Sequence, residues 1–227
     1  MHVDERSAVR LVRLAGAAVL AVGIALAIVM PQKAVTRNVE GLAGAVIGFE
    51  LATTPEEVFG ILGAPDHPQR AATVGAMDRA NRIDFLFMLA YPVLAVAIAR
   101  LLVARGLAPG AFATIVGGLA LVMVAGDFIE NRQLLALSHL TDPAAMAEPL
   151  ARLRTATVWK WAALFLSALA TARFVWRDAS AWRWSAVVFA AAGLLGLSGI
   201  VWLPGVEWGA NVIGIAWVWS WIHALRA

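Results

Sequence analysis

The chain has 227 residues, of which 61% are hydrophobic and only 15% are charged, whereas soluble domains are about 45–50% apolar and about 25% charged. The absence of cysteine excludes disulfides, iron–sulfur clusters, thiolate zinc sites and cysteine nucleophiles. The net charge of +3 comes from basic residues dispersed among the loops. This pattern suits contact with anionic lipid, and it lacks the clustered basic face of a nucleic-acid-binding protein.

Six apolar segments predict a polytopic membrane protein that lies in a lipid bilayer. Most of them hold about twenty residues, the length that an α-helix needs to cross a hydrocarbon core of about 30 Å. We therefore predict an all-α bundle of about six transmembrane helices in a single transmembrane domain. The predicted spans cover residues 14–30, 84–102, 111–129, 158–174, 184–203 and 210–225.

The first span follows Arg6, Arg10 and Arg13 and ends in the sequence MPQK. A secretory signal also places an apolar run after basic residues, but that run is normally about 7–15 residues long and ends at a small-residue cleavage site. The run in this chain is longer and has no such end. We therefore predict an uncleaved first span.

The connection between the first two spans, residues 31–82, is too long for a plain loop. Its segment 40–52 is apolar but too short to cross a membrane, so we expect an interfacial or re-entrant helix, or a segment that packs on the bundle. A short helix is predicted after it, because Thr54 suits the N-cap, Pro55 suits the first turn and Glu57 completes a capping box. These segments predict an outer cap, followed by a helix that runs directly into the second span.

The distribution of arginine predicts the orientation of the chain. Cytoplasmic loops carry the excess of Lys and Arg, and the hairpin between the last two predicted spans holds neither residue. We therefore predict a multi-pass protein of the bacterial cytoplasmic (inner) membrane, with its N-terminus in the cytoplasm. The arginines on the predicted cytoplasmic side are Arg6, Arg10, Arg13, Arg100, Arg105, Arg173, Arg177 and Arg183.

Polar residues interrupt the apolar spans at one predicted membrane face. Asp127, Glu130 and Asn131 are spaced at i, i+3 and i+4, so they form one stripe on the third span. Thr157 and Lys160 belong to a second polar stripe on the fourth span. Ionisable residues at membrane depth are costly, and they are usually placed there for a function. We expect seven side chains to gather as a ligand-binding site: Glu50, Asp84, Tyr91, Asp127, Glu130, Asn131 and Lys160.

The excess of carboxylates over lysine indicates the chemistry of this predicted site. Surplus negative charge favours a cation, an amine or a proton as the ligand. We therefore predict a water-filled pocket, open to the outside, that binds or translocates a small cationic or amphiphilic ligand. The structural alternative is that the polar side chains only join helices. Lys160 would then pair with Asp127 or Glu130, and Asn131 would cap a helix end.

The same residues resemble motifs of an uncharacterised family of small bacterial membrane proteins. Glu-Leu-Ala (50–52) precedes the second span, and Asp-Phe-Leu-Phe (84–87) opens it, with Tyr91 one to two turns later. Asp-x-x-Glu-Asn (127–131) ends the next span, and Lys160 opens the one after. The resemblance covers the middle of the chain and implies that these residues act as one unit, but it implies no activity. Family members resemble four-span proteins, so the two terminal spans depart from the pattern.

Other functions stay open at the level of sequence. A lipid-modifying membrane enzyme could use Glu130 or Asp127 as a general base, so enzyme activity is undecided. A divalent metal could bind these two carboxylates together with Asp84. A structural or assembly subunit, or a homodimer, could use the small-residue run 189–199 and the tryptophan-rich last span as partner surfaces. The histidines lie in the tail, the loops and the span ends, which disfavours haem, and we predict no cofactor.

Overall fold

The computed structural model describes residues 4–227, and the regular secondary structure in that range is helical. Helices hold 79% of the residues and no described residue lies in a strand, which confirms the predicted all-α class. The α-helices of the described range are α1 (Glu5–Val29), α2 (Ala45–Glu50), α3 (Pro55–Leu62), α4 (Arg70–Ala104), α5 (Gly110–His139), α6 (Ala147–Val175), α7 (Ser185–Ser198) and α8 (Pro204–Arg226).

Five helical segments of the described residues are long and apolar enough to cross a membrane, as expected of a multi-pass membrane protein. Three of them are α1, α4 and α5. The other two contain α6 and α7 and begin slightly earlier, at Pro143 and Ala181, because a short 3₁₀ turn precedes each helix. α8 is not among the five, so the sixth predicted span is not confirmed.

The long helices extend well beyond the predicted spans. At about 1.5 Å per residue, the 30 residues of α5 reach about 45 Å, against a hydrocarbon core of about 30 Å. α4 begins at Arg70 and runs directly into the second predicted span, as the sequence indicated. Asn131 therefore lies inside α5, well before its last residue His139. The alternative in which Asn131 caps a helix end is wrong.

Close approaches between Cα atoms divide the chain into two compact units. The described residues of the first unit are 4–21, 88–124 and 161–227. The second unit comprises residues 22–87 and 125–160. α2 and α3 belong to the second unit and α7 and α8 to the first, whereas the longer helices contribute residues to both.

Small residues in the first unit let α7 pack closely on its neighbours. A side chain in place of Gly196 would collide with the ring of Phe165 in α6. A side chain in place of Gly209, in α8, would come within 2.6 Å of the Cα of Gly196. These glycines of α7 and α8 are therefore used for packing within the chain, which weakens the prediction that the small-residue run serves a partner.

Arg105 joins several segments of the first unit. Its Nε donates a hydrogen bond to Glu5 at 2.7 Å, and its Nη1 lies 3.4 Å from Asp178 and 2.8 Å from Nε2 of His223. Asp178 also accepts hydrogen bonds from the backbone N–H and the hydroxyl of Ser180. Burial raises the pKa of Asp178, but these hydrogen bonds and the charge of Arg105 outweigh burial and bring the pKa below its ordinary value.

In the second unit, the connection before α4 packs on the protein. α2 is short and buries Phe49 completely, so the structure shows packing rather than a free interfacial helix for this part of the cap. The predicted capping box is present at the start of α3. Thr54 accepts a hydrogen bond from the N–H of Glu57, and the Glu57 carboxylate accepts one from the N–H of Thr54.

Arg70 closes the end of α5 in the second unit. Its Nη1 donates a hydrogen bond to the carbonyl of Gly63 at 2.5 Å, and its Nη2 donates to the carbonyls of Ser138 at 3.2 Å and Leu140 at 2.9 Å. The last carbonyls of a helix have no partner within the helix, and a cation beside them is favourable. One buried guanidinium therefore fixes the start of α4 to the end of α5.

We predict that Asp178 stabilises the protein at neutral pH and loses this effect in acid. A carboxylate whose pKa is lower in the folded than in the unfolded state stabilises above the unfolded pKa, and the stabilisation is lost as the pH falls through the folded pKa. Asp178→Asn should therefore melt a few degrees below wild type near neutral pH, and the difference should shrink below about pH 4. Melting curves of both proteins in one mild detergent provide the measurement. A difference that does not change with pH would contradict the prediction.

Candidate functional site

Six of the seven predicted ligand-binding residues lie in the second unit, where they form one cluster. Three long helices and the end of α2 supply them. A seventh residue, Thr157 of α6, completes the arrangement. We call this set the acidic cluster, and it comprises Glu50, Asp84, Asp127, Glu130, Asn131, Thr157 and Lys160.

Lys160 forms the centre of the acidic cluster. Its Nζ donates a hydrogen bond to Oε2 of Glu50 at 2.9 Å and another to Oε1 of Glu130. Oδ1 of Asp127 lies 3.6 Å from the same nitrogen. One ammonium from α6 therefore meets carboxylates from α2 and α5, and the predicted pairing of Lys160 with Glu130 and Asp127 is confirmed.

Thr157 holds the second oxygen of Glu130. Its Oγ1 lies 2.5 Å from Oε2 of Glu130 and 3.2 Å from the backbone carbonyl of Glu50. Both carboxylate oxygens of Glu130 thus accept a hydrogen bond from α6, one from Thr157 and one from Lys160. The three-residue spacing of Thr157 and Lys160 places both on one polar stripe of α6. The sequence analysis nevertheless did not include Thr157 among the predicted site residues.

Asp84 and Asn131 form a second contact within the acidic cluster. Nδ2 of Asn131 donates a hydrogen bond to Oδ2 of Asp84 at 2.7 Å, which joins α4 to α5. Asp127, Lys160 and Glu50 lie close enough to Asp84 for their charges to act on it. The four carboxylates therefore share one electrostatic environment, as the sequence analysis expected.

The centre of the acidic cluster is closed to solvent. Asp127, Glu130 and Lys160 are 2%, 1% and 5% exposed, whereas Glu50 and Asp84 are partly exposed. The structure thus shows a closed centre in place of the predicted water-filled pocket. A ligand from outside would meet the cluster first at Glu50 or Asp84.

Tyr91, the seventh predicted ligand-binding residue, belongs to the first unit. Its ring stacks on Trp217 of α8, with ring centroids 5.8 Å apart and an interplanar angle of 24°. Both side chains are buried. Nothing in this contact involves a ligand, so the predicted binding role of Tyr91 stays a prediction.

The chemistry of the donor set limits what the cluster can hold. No group of three or more acidic or histidine side chains in the described range is arranged to hold a metal ion, so the divalent-metal alternative has no support from the geometry. The two carboxylates proposed as a general base, Asp127 and Glu130, are both fully covered. A lipid headgroup could reach them only after the cluster opened, which disfavours the lipid-modifying alternative.

The chain was compared with known proteins, and no protein-family model, no curated protein and no solved structure matches it. The resemblance to a family of small bacterial membrane proteins therefore stays a prediction. The candidate site rests on the geometry of the acidic cluster alone.

Gly126 lets α5 and α6 approach each other beside the acidic cluster. A Cβ added at this position would lie 2.9 Å from the carbonyl oxygen of Ala156 and 3.1 Å from Cβ of Lys160. Such distances are too short for a side chain unless a helix shifts. Because Gly126 directly precedes Asp127, the close approach brings the carboxylates of α5 to the ammonium of α6.

We predict that Gly126→Ala destabilises the protein by about 1–3 kcal/mol, the usual effect of overpacking. For a chain of this size, that corresponds to a fall in melting temperature of roughly 2–4 °C per kcal/mol. Gly118→Ala on the same helix is the matched control, because nothing lies within 4 Å of its added Cβ. The control should melt at or slightly above the wild-type temperature, since alanine favours helix. Equal melting temperatures for the two variants would show that the close approach is not needed.

Proposed function

We propose that this is an integral membrane protein that binds a small cation at the acidic cluster. The observation that carries the proposal is the charge balance of a buried site. Within the described residues, the cluster sets four carboxylates against a single ammonium. The ligand is either a small inorganic cation, a protonated amine or a proton, all of which match carboxylate oxygens.

The charge balance requires a further positive charge. Lys160 contributes one, and it is shared by Glu50, Asp127 and Glu130. An ion taken out of water without compensation costs several kcal/mol. A proton or a bound cation is therefore needed to neutralise the remaining carboxylates, and its arrival or loss would change the energy of the whole cluster.

The polar atoms of the cluster favour a cation over an anion. Asn131 donates its amide hydrogen to Asp84, and Thr157 donates its hydroxyl hydrogen to Glu130. The donors in the site are thus already used on carboxylates. Four carboxylates would repel an anion, and few hydrogen-bond donors are left to bind one. The site therefore does not favour an anion.

The predicted topology gives the cluster a direction. If the N-terminus is cytoplasmic, α4 begins and α5 ends at the outer side of the membrane, and the cluster opens outward through its partly exposed edge at Glu50 and Asp84. A site of this kind suits a protein that senses or translocates a small cation. An amphiphilic amine could reach the same edge along the lipid surface.

Variants that neutralise the carboxylates separate a binding site from a structural one. Glu130→Gln and Asp127→Asn keep the side-chain shape and remove one negative charge each. If the carboxylates serve a ligand, the melting temperature of each variant without added cation should equal or exceed that of wild type, because binding sites are often held at a cost in stability. If they mainly join helices, both variants should melt many degrees lower.

Cation binding itself is measured by the shift in melting temperature of the purified protein in mild detergent. Sodium, potassium and a small primary amine are the probes, each exchanged for N-methylglucamine at constant ionic strength, and protons are added by lowering the pH. At about 100 times its Kd, a ligand stabilises by about 2.7 kcal/mol, or roughly 5–10 °C for a chain of this size. We expect wild type to show this shift with at least one probe, and Glu130→Gln to lose most of it.

Glu56→Gln provides the matched control for this measurement. Glu56 lies in α3 of the same unit and is exposed, so the variant changes the net charge equally but leaves the acidic cluster intact. It should keep the wild-type shift. The proposal is contradicted if no probe raises the melting temperature of wild type more than that of Glu130→Gln. If Glu130→Gln and Asp127→Asn also melt many degrees below wild type, the structural interpretation replaces the proposal.

A further inference from the structure

A second set of polar contacts connects α4 and α5 near the acidic cluster. Asp78 of α4 accepts a hydrogen bond from the hydroxyl of Ser138 at 2.7 Å, and its other oxygen lies 2.8 Å from Nε2 of His139. Ser138 is buried, but the His139 side chain is 66% exposed. This contact therefore joins a solvent-exposed imidazole directly to a largely buried carboxylate.

Asn81 lies between this contact and the acidic cluster. It is 2% exposed, and its Nδ2 has no hydrogen-bond partner among residues 4–227. Asp78 precedes it by three residues and Asp84 follows it by three, so all three occupy neighbouring turns of α4. A buried polar atom without a partner costs about 1–3 kcal/mol, and buried water usually satisfies such atoms.

The contacts between the two helices show where Asn81 points. Asp78 meets Ser138 at one end of the stretch, and Asp84 meets Asn131 at the other. Asn81 therefore faces the part of α5 that lies between those two partners. Its buried Nδ2 finds no acceptor among residues 4–227 at this place, so an acceptor that is not a protein atom suits it.

We propose that Asn81 binds water molecules that carry protons between the His139–Asp78 pair and Asp84, so that the proton is the cation taken up by the acidic cluster. This inference rests on the proposed function and names its ligand. The axial rise from Asp78 to Asp84 is about 9 Å. At least two water molecules are needed to cover this rise at oxygen–oxygen distances of about 2.8 Å, since the two side chains also leave the helix in directions about 120° apart.

Each transfer moves one proton and needs no other reactant. The imidazole of His139 takes a proton from solvent and gives it to the Asp78 carboxylate, because imidazole is the side chain best suited to proton exchange near neutral pH. Asp78 then passes a proton into the bound water, and the water passes one to Asp84. The O–H bond formed at each acceptor replaces the N–H or O–H bond broken at the donor.

The surroundings of Asp84 explain why a proton would stay there. The charged groups that act on Asp84 are Asp127, Glu50 and Lys160, and Asn131 donates a hydrogen bond to it. A proton on Asp84 removes one of the four negative charges that face a single ammonium. Within residues 4–227, the side chains that hydrogen-bond to Asp78 are those of Ser138 and His139, and the Arg70 guanidinium lies on the carbonyls of Ser138 and Leu140. This end therefore lacks the excess of carboxylates that surrounds Asp84, and the proton passes through it toward the larger negative charge.

The experiment follows the carbonyl stretch of protonated carboxyl groups by time-resolved infrared spectroscopy after a step from mildly alkaline to mildly acidic pH. The full-length protein is used in one mild detergent. In wild type we expect the protonated-carboxyl band to grow. Asn81→Leu and His139→Gln should each slow its growth about tenfold or more, an increase of about 1.4 kcal/mol in the barrier, and should leave its final amplitude unchanged.

Two further variants make the comparison specific. His67→Gln removes a histidine of the same unit that lies in the loop before α4. The His67 ring accepts a hydrogen bond from the N–H of Gln69 and is not part of the contact of Asp78 with Ser138 and His139. The rate of this variant should therefore match wild type. Asn81→Ser keeps a polar group for water and should recover most of the rate lost in Asn81→Leu. If Asn81→Leu does not fold, His139→Gln on the exposed end still tests the route.

The outcomes separate this inference from the proposed function. If the band grows in wild type at a rate that neither Asn81→Leu nor His139→Gln changes, protons reach the cluster by its Glu50 and Asp84 edge, and the route through Asn81 is wrong. If no band changes with pH in wild type, the proton is not the ligand and this inference is overturned. The melting shifts with sodium, potassium and amine then decide whether a cation site exists at all.

Discussion

The buried ammonium of Lys160 is the constraint on which the second unit depends. A charge under such cover needs partners at hydrogen-bond distance, and Lys160 finds them on α2 and α5. That requirement explains why α5 and α6 must approach closely at Gly126. It also explains why the connection before α4 cannot be a loose loop, since Glu50 reaches the lysine only if α2 is folded against the protein.

The contacts of Lys160 have a structural role, and the proposed function assigns a ligand to the same residues. Lys160 joins segments as interhelical polar residues do, so part of the structural alternative is correct. One ammonium nevertheless cannot balance four carboxylates. The proposed function assigns the remaining negative charge of the cluster to a cation or a proton. Under the proposed function, the same oxygens would serve stability and the ligand, so we expect the two to be coupled.

The sequence predicted which polar residues gather better than it predicted how far they are buried. Spacings of three and four residues placed Asp127, Glu130 and Asn131 on one face, and the helical period is local information that a single sequence contains. α5 continues beyond the predicted span 111–129, and α6 begins before the predicted span 158–174. Apolar runs mark the part of a helix that suits lipid and do not reveal the polar turns that extend it. The sequence analysis did not single out Asn81. Its distinguishing feature is a buried amide nitrogen without a hydrogen-bond partner among the described residues, and only the packed structure shows this. Tyr91 was assigned to the site because helical spacing places it on the same face of α4 as Asp84. Its ring stacks on Trp217, a contact that helical spacing does not predict because the two residues lie far apart in the sequence.

Arg70 fixes the backbone on both sides of His139 with hydrogen bonds from a buried guanidinium. Its guanidinium holds the carbonyls of Gly63, Ser138 and Leu140, and guanidinium keeps its charge at every pH that a protein survives. His139 lies between two of the residues that Arg70 anchors. The backbone that carries the imidazole is therefore held on both sides. A histidine on a fraying helix end would move with its backbone, whereas these hydrogen bonds keep the backbone of His139 in place where its side chain meets Asp78.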